Sequence, residues 1–393
     1  SAFLGVTPAY IFRTMAGSSD HDALGMVALF AAFLFYVLSL KFISEKKKII
    51  YPIVGGILTA FTTVLVIVTW GGIAKAVFLI FPLSFFLLWI FKTKNSGEFV
   101  KNGLVYYLCW IISTLLIGSI FAGYSIMGIF NTYMIGAQGI LSMAVLAFII
   151  VDAILIYQKK FRIGKYRILY TLAGTIILGI VGLTLIGKNI FSIIYSIFYS
   201  FLTPFGEGRF GVTVAENQAP FLGDWISQTG AVLFWLFILG IIYFGFELGK
   251  NIKNIKRKII FICAFTFMSF GIIFSKYSQS SILNGSNFIS SIVYFVPLVF
   301  FWGYLFWLYF KEDFSFNSTH LFIFGWLFFT IITGRAASRM FFAITPFVCF
   351  MGAFFVFGLF NLRKISRDET FRIIVIILFI ISIISSAFFL NSY

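Results

Sequence analysis

Leu24-Gly25-Met26-Val27-Ala28-Leu29-Phe30-Ala31-Ala32-Phe33-Leu34-Phe35-Tyr36-Val37-Leu38-Ser39-Leu40-Lys41-Phe42-Ile43 is broken only by Ser39 and Lys41, and Lys46, Lys47 and Lys48 follow directly. About 20 residues of this character match the hydrocarbon thickness of a bilayer. A basic cluster at one end marks the cytoplasmic side. The same unit recurs along the chain. Spans are expected at about 24–43, 50–69, 72–91, 103–121, 138–157, 168–186, 229–249, 258–274, 291–310, 319–334, 340–361 and 373–390, and residues 1–12 read as the tail of an earlier one. The expectation is an all-α, polytopic membrane protein of about 12–13 transmembrane helices.

Composition agrees. Of the 393 residues 61% are hydrophobic, 21% aromatic and only 11% charged, with a mean hydropathy of +1.04; soluble domains carry about 25% charged residues. A membrane β-barrel would alternate apolar and polar residues over about 10-residue strands, and no such alternation occurs. The net charge of +16 is not a nucleic-acid signal, because the basic residues fall in short clusters between apolar runs. Cys109, Cys263 and Cys349 each lie inside such a run and read as small buried hydrophobes.

Alternate loops separate by charge. Clusters within 41–48, 92–101, 159–167, 250–258 and 363–372, with Lys311, hold most of the 29 Lys and Arg residues. The other side has only Arg13, Lys75, Lys188, Arg209, Lys276, Arg335 and Arg339. The basic side is cytoplasmic by the positive-inside rule. The segment around Asp20, the long loop 187–228 and the Arg335–Arg339 turn are then external. Within that loop residues 190–202 suggest an interfacial helix ended by Thr203-Pro204, and the Gly- and polar-rich stretch 205–224 reads as mobile. Long loops of this kind are usually functional.

Only 13 carboxylates occur in the whole chain, so those outside the lipid carry weight. Asp20-His21-Asp22 sets two carboxylates and an imidazole within three residues, donors that suit Mg²⁺ or Mn²⁺. In an extended segment Asp20 and Asp22 share one face and His21 points away. The plainer reading is that one of the two Asp residues caps the helix beginning near Ala23. Glu216 follows Thr213-Val214-Ala215. Arg335 and Arg339 are either snorkelling anchors or an anion site. Asp152 lies within a span, with Lys159 or a neighbouring helix in reach, and His320 reads as a helix-start residue. Asn284-Gly285-Ser286 and Asn317-Ser318-Thr319 match the glycosylation pattern, of which only the first lies on the external side.

Arg13-Thr14-Met15-Ala16-Gly17-Ser18-Ser19-Asp20-His21-Asp22 closely resembles the second acidic motif of oligosaccharyltransferase catalytic subunits, in which Arg-Thr-Met-x-Gly precedes Asp-x-Asp. Thr213-Val214-Ala215-Glu216 is similar to that family's Ser/Thr-hydrophobic-x-Glu motif. Arg339-Met340-Phe341-Phe342-Ala343-Ile344-Thr345-Pro346 is similar to its late Arg-apolar-Pro segment. The archaeal branch is the nearest, and the resemblance covers most of the membrane part.

The resemblance implies a GT-C-type glycosyltransferase over 1–393, in the cell membrane with its active site on the extracytoplasmic side. Its donor would be an oligosaccharide on a polyprenyl or dolichyl diphosphate carrier, and its acceptor the Asn of Asn-x-Ser/Thr in a polypeptide. Asp20 and Asp22, with Glu216, would hold Mn²⁺ or Mg²⁺. Arg13 would orient the carboxylates, Glu216 and Thr213 would meet the acceptor, and Arg339 would face the pyrophosphate, with Arg335 or Lys276 as substitutes. An archaeal enzyme of this kind would act as a single subunit. The family also carries an acidic residue in an earlier external loop and a Trp-Trp-Asp motif in a soluble C-terminal domain. Both would lie beyond Ser1 and Tyr393, and the fragment alone is expected to be inactive. Two competing readings are another lipid-linked-sugar transferase, such as a protein O-mannosyltransferase, and a lipid-linked saccharide transporter or flippase. Thr213–Glu216 argues against the first, and a transporter would show mid-membrane polar residues and internal repeats, whereas Asp152 is the only clear mid-span acid and no repeat is seen.

Overall fold

The computed structural model describes residues 2–14, 21–45, 48–92, 97–121, 123–136, 139–157, 166–185, 187, 189, 191–192, 194–196, 218–311, 316–365 and 369–391. These are helical almost throughout, and their β-structure amounts to one antiparallel bridge between Lys276 and Asn284. Eleven helices are long and apolar enough to cross a membrane. The 23-residue helix Glu369–Asn391 coincides with the last expected span. Every expected span therefore has its helix, with ends moved by a few residues. Residues 1–12 differ: they belong to two short helices, Ala2–Val6 and Pro8–Thr14. Proline cannot continue a helix but suits a helix's first turn, so the chain breaks at Thr7.

The chain folds as two compact units. One comprises Asp20–Pro204 and Ser315–Phe329. Its centre is the helix Gly71–Lys92, which is buried along most of its length and packs against Asp22–Ser44, Ile50–Thr69 and Ile140–Tyr157. Without water every polar hydrogen must find a partner inside the protein, and the aromatic side chains here do so. Tyr36 stacks on Phe81 with ring centroids 4.0 Å apart, and its hydroxyl meets Ser84 Oγ at 2.6 Å. Trp110 Nε1–H donates to Thr63 Oγ1 at 3.2 Å. Helices Ile50–Thr69 and Gly97–Gly118 approach closely at Gly56, where a Cβ would come within 2.7 Å of Cys109 Cβ. Small residues permit such crossings when no hydrophobic force drives helices together in lipid.

Asp152 is 1% exposed in this unit and joins three helices. Its Oδ2 accepts from Trp89 Nε1 at 2.8 Å, and its Oδ1 accepts from Thr171 Oγ1 at 2.9 Å. Arg167 Nε lies 3.0 Å from Oδ1. An ionic partner is thus Arg167 at the start of the next helix; Lys159, the other expected partner, lies outside the described residues. Arg167 opens the helix Arg167–Leu185, which packs against Asp152's own helix.

The other unit comprises Ser1–Ser19, Phe205–Phe314 and Thr330–Tyr393. Here Phe341–Ile365 is the shared partner of Ala231–Leu248, Glu369–Asn391 and Pro8–Thr14. Tyr10 stacks on Phe342 at 5.0 Å, and Thr7 Oγ1 lies 3.6 Å from Cys349 Sγ. Cys349 is buried as expected, whereas Cys109 is half-buried and Cys263 exposed, a position that lipid rather than protein would cover. A Cβ at Gly240 would meet the Met351 carbonyl at 2.3 Å, so glycine is what lets those two backbones touch. The helix Ile255–Phe274 has 20 residues, about 30 Å of rise. Lys250, Lys253, Lys256, Arg257 and Lys258 gather at its start and Lys276 follows its end. At the basic end Arg257 Nη1 donates to the Lys311 carbonyl at 3.3 Å and its guanidinium lies 5.5 Å from the Trp307 ring.

Candidate functional site

The expected site residues divide between the two units. In the unit containing residues 21–185, His21 precedes the helix Asp22–Ser44 with φ −68° and ψ −9°. His21 thus already has helical backbone angles, so the shared-face argument for an extended segment does not apply at this residue. Asp22 is the first helical residue, and His21, which precedes the helix, makes no side-chain cap hydrogen bond, so the expected capping role is not Asp22's. Its carboxylate is 1% exposed, 3.7 Å from His21 Nε2, and sits where the helix dipole favours negative charge. The His21 ring meets Trp70 edge-on at 6.2 Å. Asp20 lies outside the described residues.

The Asp22 carboxylate oxygen suits Mn²⁺ or Mg²⁺, and an imidazole nitrogen this close favours Mn²⁺ of the two. Among the described residues no group of three or more His, Cys, Asp or Glu side chains gathers. The other expected ligands, Asp20 and Glu216, and the expected Thr213, are not among them.

The second unit brings cations together. Arg335, in the last turn of Ser318–Ala336, is 6% exposed. Its Nε donates to Ser275 Oγ at 2.9 Å, its Nη2 donates to the Gly285 carbonyl at 3.3 Å, and its guanidinium stacks 4.6 Å from the Tyr294 ring. The turn that receives it is built for the purpose. Gly285 has φ +86°, a left-handed value that favours glycine. Asn284 Oδ1 accepts from the Ser286 and Asn287 amides, both at 3.0 Å. Arg339 lies half-buried in a single 3₁₀ turn, Ser338–Met340. Arg13 ends the helix Pro8–Thr14, which packs on the helix that follows Arg339.

The stretch 205–224, expected to be mobile, divides. Residues up to 217 lie outside the described set, and from Gln218 the chain is held. The Gln218 carbonyl accepts from Ser338 N at 3.0 Å and from Ser338 Oγ at 3.1 Å. Lys276 Nζ donates to the Ala219 carbonyl at 2.8 Å and lies 4.9 Å from the Phe221 ring. Leu222 N donates to the Lys276 carbonyl at 3.2 Å. The helix Leu222–Thr229 then forms where loop was expected. Asp224 Oδ2 accepts from Phe221 N at 2.7 Å and so satisfies an amide that the first turn leaves open. Trp225, 1% exposed, meets Phe341 edge-on at 5.3 Å and lies over Gly334, where a Cβ would stand 2.3 Å from Trp225 Cζ2.

Burial, and after it the Arg335 guanidinium, push the Lys276 ammonium down to about 8, against an opposing pull from Asp224. This end of the unit thus holds one buried cation whose charge is met by a hydroxyl, a carbonyl and an aromatic face, and a second poised near neutral pH. A third, Arg339, lies beside the anchored end of the loop.

Residues 1–283 match the family described as Oligosaccharyl transferase STT3, N-terminal. The chain belongs to this family. It is an oligosaccharyltransferase catalytic chain of the GT-C polytopic class, and its reaction is oligosaccharyl transfer in protein N-glycosylation. A lipid-linked oligosaccharide donor, a peptide acceptor and a membrane setting follow from membership; the family is in general divalent-metal dependent. No curated protein matches the chain. For this STT3-family chain the sequence missed the Ser338–Gln218 and Lys276–Ala219 contacts, which link residues far apart and leave no local signature. Asp224 three residues after Phe221 was the one legible sign of the helix there.

Proposed function

We propose that this chain transfers an oligosaccharide en bloc from a polyprenyl or dolichyl diphosphate carrier to the Asn amide of Asn-x-Ser/Thr acceptors. The reaction would take place at the extracytoplasmic face. The observation that carries the reading is the anchor of Gln218, two residues after Glu216, on Ser338, the neighbour of Arg339. One compact unit thereby holds the acceptor-loop end and the candidate phosphate-binding arginine together. Their location at the end of Ile255–Phe274 opposite Lys250–Lys258 supports the external side.

An amide nitrogen is a poor nucleophile because its lone pair is delocalised into the carbonyl. Carboxylates accepting from both its N–H groups turn the lone pair out of conjugation as it attacks the sugar C1. Glu216 is the acid assigned to that contact, Thr213 to the acceptor as well, Asp20 and Asp22 to the metal, and Arg13 to orienting the carboxylates. Mn²⁺ or Mg²⁺ held by Asp20, Asp22 and Glu216 would stabilise the charge on the departing diphosphate. Arg339 supports the same leaving group through charge-assisted hydrogen bonds, with Arg335, four residues earlier in the sequence, as its substitute. The test is Glu216→Gln in the complete enzyme. Turnover falls at least about a hundredfold, the scale of losing one transition-state contact, while donor binding stays nearly intact. Near-normal turnover removes Glu216 from the chemistry.

A further inference from the structure

We infer that Ser338 and Lys276 are positioning residues for acceptor binding: they clamp two successive carbonyls, Gln218 and Ala219, and fix the point from which the chain runs back toward Glu216. This inference rests on the proposed role of Glu216.

Four contacts converge on five residues. Ser338 gives both its amide and its hydroxyl to the Gln218 carbonyl, which fills both lone pairs of that oxygen. Lys276 donates to the next carbonyl, Ala219. Its own carbonyl receives the Leu222 amide, so the chain is gripped from both sides of Phe221. Lys276 lacks freedom to wander, because the Lys276–Asn284 bridge and the Phe221 ring hold its backbone and its ammonium. The charged groups facing that ammonium are Arg335 from the helix Ser318–Ala336 and Asp224 from the helix Leu222–Thr229. Ser338 stands next to Arg339, so the grip ties the loop to the turn assigned to the diphosphate.

Such a clamp acts on the acceptor and leaves the donor alone. Each contact it loses costs about threefold to tenfold, the usual net worth of a hydrogen bond. The test uses the complete enzyme in nanodiscs, with a synthetic Asn-x-Thr peptide and lipid-linked oligosaccharide. Ser338→Ala and Lys276→Met are each expected to raise the acceptor KM by about threefold to tenfold while donor KM stays unchanged and the variants remain folded at the assay temperature. Ser338→Thr and Lys276→Arg should restore the acceptor KM. Hydrogen exchange at the Leu222 amide should accelerate in the double variant, a readout independent of turnover. An unchanged acceptor KM in the double variant overturns the inference. So does unchanged exchange at Leu222, or a loss of melting temperature that accounts for the whole effect. Failure of the wild-type enzyme to glycosylate the peptide would instead strike the proposed function, and exchange at Leu222 would still judge the clamp.

Discussion

Replacing Asp152 by alanine removes the acceptor that three groups share, and the three losses differ. Trp89 Nε1 is fully buried with Asp152 Oδ2 as its acceptor at 2.8 Å. Stranding such a donor costs about 1–3 kcal/mol. Thr171 keeps a second bond, to the Arg167 carbonyl at 3.0 Å, and loses little. Arg167 keeps its charge but its side chain is 19% exposed, so water recovers part of the lost pairing. Breaking a wholly buried pair costs about 3–5 kcal/mol, which sets a ceiling. The expected sum is therefore about 3 kcal/mol for Asp152→Ala and about 1 kcal/mol for Asp152→Asn, which retains an oxygen for Trp89. Thr171→Val should cost less than either, and Lys159→Ala should cost nothing measurable. Thermal unfolding of the purified variants in one detergent, followed by intrinsic tryptophan fluorescence, ranks them. Equal midpoints for Asp152→Ala and Asp152→Asn would refute the reasoning, as would a Lys159→Ala loss exceeding that of Arg167→Ala.

Gly334→Ala should destabilise the protein by about 1–3 kcal/mol through overpacking, because the added methyl meets Trp225 at 2.3 Å and Ile344 at 2.6 Å; protease sensitivity near residue 218 reports the displaced tryptophan. Lys276 holds its proton more weakly when folded, at about 8 against 10.5 for the ordinary group. Between those values the unfolded chain binds more protons, so stability should rise with pH across that window and not below it. Lys276→Met should flatten the slope in melting temperature measured from pH 7 to 10. Chelating divalent ions should stop transfer, and Asp22→Asn should raise the Mn²⁺ concentration for half-maximal recovery by at least about tenfold; an unchanged requirement removes Asp22 from the metal.

Transmembrane helices were legible because lipid imposes one rule on every span: about 20 apolar residues with internal hydrogen bonding. Helix positions such as Asp22–Ser44 and Ile50–Thr69 follow from that rule alone. The motif at Arg13–Asp22 was legible as chemistry, because scarce carboxylates outside an apolar chain stand out. Conformation within the motif was not. Whether His21 is extended or helical depends on how the helix start packs near Trp70, which periodicity does not encode. Asp152 shows the same limit in a different form. Its charge was visible in the sequence, and a bond to a neighbouring helix was one of two expectations, but only the packing of the helices singles out Trp89, Thr171 and Arg167. The clamp on Gln218 and Ala219 was invisible for a related reason, since backbone carbonyls belong to every residue type.

Ser338 and Gln218 are 120 residues apart in sequence. A ribosome adding about 5–20 residues per second reaches Ser338 on the order of ten seconds after Gln218 has been made. Throughout that interval the residue that grips Gln218 does not yet exist, while Lys276, 57 residues after Ala219, becomes available about halfway through it. Birth order thus assigns the two halves of the anchor different ages. The lysine half forms while the protein is still being inserted, and the serine half closes only when the helix Ser318–Ala336 has entered the bilayer.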